Sequence, residues 1–102
     1  MPADPGGAAL ATYDQALAKK PHPDGQLFSE TTRHLCAYRS VVTARYHAGN
    51  TSRRSLEHLN AIISIVLAGH FPLGETPWPE LEKARTWLAD LIAEPINPGP
   101  TS

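Results

Sequence analysis

Ten prolines punctuate this chain, at Pro2, Pro5, Pro21, Pro23, Pro72, Pro77, Pro79, Pro95, Pro98 and Pro100, and none falls between Gln26 and Phe71. Proline inside a helix removes a backbone donor and pushes its ring into the preceding turn, so prolines gather where helices begin and end. The uninterrupted middle has room for two long helices, with a shorter one before it and another after it. The expected fold is all-α: a small four-helix bundle-like domain, antiparallel or partly orthogonal, with frayed termini rich in proline and glycine. With 102 residues, 41% of them apolar, the chain has the size of one domain and the apolar content for one modest core.

Periodicity and stop signals outline the elements within a single helical domain over 8–94, between flexible tails at 1–7 and 95–102. Leu10, Tyr13 and Leu17 give a first helix over Ala8 to Lys19, ended by the run from Pro21 to Gly25. The second runs from Gln26 to Ala48 on a stripe of Phe28, Thr31, Leu35, Tyr38, Val42 and Tyr46, and Gly49 stops it. A third starts from the capping cluster Asn50-Thr51-Ser52 and runs to Ala68, with Gly69 closing it. Its stripe of Leu56, Leu59, Ile63 and Val66 is widened by Ile62, Ile65 and Leu67, which predicts a central position. A fourth opens with Thr76 as N-cap before Pro77 and places Leu81, Ala84, Leu88 and Leu91 on one face, flanked by Trp87 and Ile92.

The same reading narrows the function. One cysteine, Cys36, excludes an internal disulfide framework and suits a reducing compartment. No basic segment followed by an apolar run opens the chain, and the most apolar stretch, Ala61 to Ala68, is far shorter than a membrane span, so a soluble cytoplasmic protein is expected. Glu30 and His34 share a helical face and Glu57-His58 sits on the third helix. Neither pair has the Glu-x-x-His spacing of a carboxylate-bridged metal site in a bundle. His22, His47 and His70 fall at helix ends or in loops. Without a nucleophile elbow, a P-loop or a glycine-rich dinucleotide turn, no catalytic, cofactor-binding or metal residue is assigned, and no enzyme is expected.

Charge is unevenly spread. Arg33, Arg39, Arg45, Arg53 and Arg54, with His34 and His47, lie between Thr31 and Leu56 without a carboxylate, a local charge of +5 against −6 for the rest of the chain. Arg53 and Arg54 also occupy a first helical turn, where the macrodipole disfavours cations by a few tenths of a kcal/mol. Guanidinium groups there suit carboxylates or phosphates. Arg39, Arg45, Arg53 and Arg54 are therefore the candidate basic corner, facing an acidic protein partner or, as the alternative, nucleic acid. A helix-turn-helix at Gly49-Asn50 fits poorly, because the helix that would read bases is almost wholly apolar beyond Asn60.

Two further features bear on binding. Ala37, Val41, Ala44 and Ala48 form a second row on the long helix, well over a quarter turn from its main stripe. It serves either close packing within the monomer or a dimer or partner face, a two-fold contact being the commonest arrangement. Phe71 and Trp78 flank a proline-restrained loop, and either becomes an interface anchor if it projects outward. The expected function is a small helical interaction module that binds and modulates another protein, as inhibitor, antiactivator or adaptor, in homodimeric form.

Overall fold

A computed structural model describes residues 4–94. Four helices follow one another: α1 (Pro5–Ala18), α2 (Gly25–His47), α3 (Arg53–His70) and α4 (Trp78–Ala93). No described residue is in a strand. Each helix packs on two neighbours in the ring α1–α2–α3–α4–α1, and the diagonal pairs have no close backbone approach. The directions alternate. Gly25 lies beside His70 and Gly69 beside Phe28 across the α2–α3 seam, while Gly6 lies beside Ile92 on the α1–α4 side. His58 packs at a tilt against Trp87 between α3 and α4. The result is an antiparallel bundle.

The core follows the periodicity along most of α2, α3 and α4, but in α1 it turns to Ala9, Tyr13 and Ala16, with Leu10 and Leu17 only half-buried, as are Tyr46 and Leu56. Tyr13 from α1, Phe28, Leu35, Tyr38 and Val42 from α2, Leu59, Ile62, Ile63 and Val66 from α3, and Leu81, Ala84, Leu88 and Leu91 from α4 are all buried. Burying a side chain of this size stabilises the fold by about 1.5–3 kcal/mol. Thr31 shares that core without cost, because its hydroxyl donates to the Leu27 carbonyl at 2.7 Å and leaves no orphan polar group. Tyr13 is fully buried too, and its phenol donates to the Leu81 carbonyl on α4.

Local chemistry sets the helix ends. The Asp4 carboxylate accepts from the Gly7 amide at 3.1 Å, with Pro5 in the first turn, so α1 begins three residues earlier than the sequence suggested. Pro5-Gly6-Gly7 is helical, while 1–3 and 95–102 lie outside the described residues. Asp24 caps α2 through the Leu27 amide at 3.1 Å, and Ser52 caps α3 through the Ser55 amide at 3.2 Å. At the end of α2, Gly49 takes φ 78°. Its amide reaches the Tyr46 carbonyl at 3.0 Å and the Asn50 amide reaches Arg45 at 2.7 Å, the paired bonds of a Schellman motif.

Two end assignments change. Gly69 does not close α3 but lies inside it, buried. A Cβ there would sit 3.1 Å from Leu81 and 3.3 Å from Phe28, so glycine is present for close helix packing. Thr76 is not the α4 cap either: Pro77 holds that position and no side chain caps the helix. Trp78 instead fastens this first turn by packing against Phe28, ring centroids 6.3 Å apart.

A third change concerns α3 as a whole. It is one side of the ring, not its centre, and its outer surface exposes Asn60, Ala61, Ser64, Leu67 and Ala68. A four-membered ring gives every helix two neighbours and one outward face, so Leu67 reaches solvent while Ile62 joins the core and Ile65 is half-buried. No helix among the described residues is long and apolar enough to cross a membrane.

Candidate functional site

The four arginines of the expected basic corner do not converge. Arg39 points along the α2–α3 seam, where its guanidinium donates to the Asn60 side-chain oxygen at 3.2 Å. Arg45 is one and two-thirds turns further along α2 and so faces the other flank. It is half-buried beside Tyr38 and lines a cavity of about 20 Å³ with Val42, Asn50, Thr51, Leu91 and Glu94, room for one water molecule. Burial raises the Tyr38 phenol above the ordinary tyrosine range, and the Asp4 and Glu94 carboxylates add to this while Arg45 opposes it. Glu94 itself accepts from the Ser55 hydroxyl at 2.7 Å. Arg45 thus belongs to a polar plug at one end of the bundle.

Arg53 and Arg54 are both exposed at the start of α3. Arg53 pairs with Glu57 one turn on, at 3.2 Å. This order, cation before anion, is the weaker one for a helix, and both side chains are well exposed, which limits the pair to a few tenths of a kcal/mol. Arg54 lines a shallow depression with Glu57 and His58, on the side of α3 turned toward Trp87. Arg33 and Arg39 are exposed along α2.

The small-residue row also finds its place. Ala37, Ala44 and Ala48 are exposed and Val41 is half-buried, so no neighbouring helix clamps the row. Helical geometry at 3.6 residues per turn puts it on the flank of α2 away from Arg39. The two aromatics of the loop part company. Trp78 is half-buried and packed on Phe28. Phe71, 68% exposed, stacks on His70 at 4.1 Å between centroids and stands outward beyond the last turn of α3.

With Leu67 at 39% exposure and Leu73 fully exposed, Phe71 completes an apolar prominence at the end of the bundle opposite the α2–α3 turn. It continues an outer surface of α3 without formal charge: from His58 to Gly74 there is no Asp, Glu, Lys or Arg. On the adjacent seam of α2, Thr32, Cys36, Ser40 and Thr43 are likewise uncharged, two of them turned back onto their own helix as Thr32 and Ser40 donate to the Phe28 and Cys36 carbonyls. Arg33, Arg39 and Arg53 border this area, and Glu57 is the carboxylate beside it. Leu67 was assigned to the core stripe by type alone; the long absence of charge from His58 to Gly74 was the signal that marked its neighbourhood as a surface of another kind.

Among the described residues no three His, Cys, Asp or Glu side chains gather as a metal-ligand set. The free Cys36 is half-buried, with the nearest Arg39 nitrogen 4.0 Å from its sulfur. The fold and this surface together define a small antiparallel four-helix bundle with one charge-depleted, basic-edged face. Compared with protein-family models, with curated proteins and with solved structures, the chain finds no match.

Proposed function

We propose that this chain acts by binding another protein through the outer face of α2 and α3, as an inhibitor, antiactivator or adaptor. One observation carries the reading: beyond Glu57 the exposed surface of α3 carries no charged side chain and rises to Leu67 and Phe71, with arginines at its edge. Solvated helix faces are ordinarily charged. Depletion of charge at the centre, aromatic residues and arginine are the composition of protein interfaces. The open row of Ala37, Ala44 and Ala48 lies on the opposite flank of α2, which leaves a homodimer and a partner compatible.

Affinity capture from native lysate tests the proposal, comparing the wild-type chain with a Leu67→Ala/Phe71→Ala variant, each with and without nuclease. Both positions are exposed, so the variant keeps its far-UV helix signal. A stoichiometric protein that survives nuclease and disappears with the variant is the expected result. Equal recovery by both chains removes the α2–α3 face from the contact. Recovery that collapses with nuclease assigns the arginines to phosphate instead.

A further inference from the structure

We infer that the α2–α3 face receives an acidic amphipathic helix of the partner, laid along α3 as an additional helix of the bundle. The inference rests on the protein-binding reading above and names the chemistry of its ligand. Its first support is spacing. Asn60, Ser64, Leu67 and Phe71 are exposed and recur at four, three and four, the interval at which one helix meets another along a seam. Ala61 and Ala68 beside that line are small and exposed, so a second backbone approaches closely. An incoming helix places its own apolar residues there at the same interval, as amphipathic helices do in grooves.

The second support is charge. Arg33, Arg39 and Arg53 edge the seam; of the carboxylates near them, Glu57 is already paired with Arg53, and Glu30 lies one turn before Arg33 on the side of α2 turned away from the seam. Carboxylates on the rim of the incoming helix find guanidinium donors here, while a basic helix is repelled. In a two-fold contact along α3 a second copy turns its apolar end toward Arg53, so the arginines gain no carboxylate from it. Polarity runs lengthwise as well. The positive end of the α3 macrodipole coincides with Arg53 and Arg54, and the apolar prominence of Leu67 and Phe71 stands at the other end. The partner helix therefore carries its acidic cluster toward the α3 N-terminus and its large apolar anchors toward Phe71.

The test is titration of the isotopically labelled full chain, followed by amide chemical shifts, with a designed amphipathic peptide bearing leucines at three-four spacing and glutamates elsewhere. A lysine counterpart and a short DNA duplex are run beside it. The glutamate peptide is expected to move the amides of Arg39, Asn60, Ser64, Leu67 and Phe71, with affinity that falls as salt rises. Phe71→Ala is expected to weaken it by about 30-fold, the loss typical of an interface anchor. Arg39→Glu weakens it by about fivefold, chiefly through a slower on-rate.

Shifts confined to other faces, equal binding of the lysine peptide, or tighter binding of the duplex through the same residues each overturn the inference. If the peptide fails while lysate capture still loses its protein on Leu67→Ala/Phe71→Ala, the face binds a partner that is not an acidic helix. If capture shows no dependence on the face, the broader reading has failed.

Discussion

The α1–α4 seam and the α2–α3 face are built from the same kinds of residue but pair their charges differently. Across α1–α4, Arg85 grips Asp14 with two bonds at 2.8 and 3.1 Å, Lys20 meets Glu82 at 3.3 Å, and Tyr13 reaches through to the Leu81 carbonyl. Opposite charges meet within the chain and satisfy each other. Across α2–α3 the one polar tie between side chains of the two helices is Arg39 to Asn60, and the arginines outnumber the carboxylates. A seam that neutralises its own charge has little left for a partner, whereas on the α2–α3 face Arg53 meets Glu57 but Arg39 is held only by the uncharged Asn60. The difference lies in which residues find each other.

Stability measurements break this comparison most sharply at Tyr13. Tyr13→Ala removes a buried ring and the tie to α4, and is expected to cost about 3–5 kcal/mol in chemical denaturation. A milder change, Tyr13→Phe, is expected to cost about 1 kcal/mol at neutral pH for the lost hydrogen bond, and it also reads out the seam through pH. Burial raises the folded-state Tyr13 phenol well above its ordinary value, so the unfolded chain ionises first, at about pH 10. The stabilising contribution is complete below that pH and is lost as pH rises past it. Denaturation midpoints of the wild type should fall in alkali more steeply than those of Tyr13→Phe, the residual slope belonging to Tyr38, whose phenol burial also raises. Parallel slopes would show that Tyr13 is not sequestered.

Smallest are the surface charges, and there the two regions should separate by kind. Asp14→Asn breaks a two-bond pair whose side chains are each more than a third exposed, which limits the expected loss to about 0.5–1 kcal/mol, shrinking in high salt. Arg33→Ala with Arg39→Ala should leave stability within about 0.5 kcal/mol and act on partner binding alone. A larger loss from the α2 pair than from Asp14→Asn would reverse the division drawn above.

Much of this was legible before any coordinates. The buried stripe from Phe28 to Val42 and that from Leu81 to Leu91 follow from a period of 3.6 residues, and Gly49 stops α2 for the reason its sequence context implies. Gly69 was misread because a glycine near a helix end looks the same whether it terminates the helix or admits Leu81 and Phe28 against its backbone; only the neighbouring helices decide. Pro5-Gly6-Gly7 has weak helix propensity, and Asp4 with a first-turn proline outweighs it. The arginines from Arg39 to Arg54 are near in sequence yet scatter, since six positions along α2 turn Arg45 toward the opposite flank and into a polar cluster with Tyr38. Leu67 and Ile63 are alike in type, so their division between surface and core depends on how many neighbours α3 has.

One feature of the ring reaches beyond binding. Asp4 and Glu94 both act on Tyr38, so the start of α1 and the end of α4 stand at the same end of the bundle, and the α1–α4 seam joins the first helix to the last. The covalent order of the helices is then one cut through a closed circle. Linking those two ends and opening the chain in the loop between α3 and α4 would preserve every helix-to-helix seam. It would turn the contacts that now close the longest loop into local ones, giving a permuted chain with the same core and a shorter search for it.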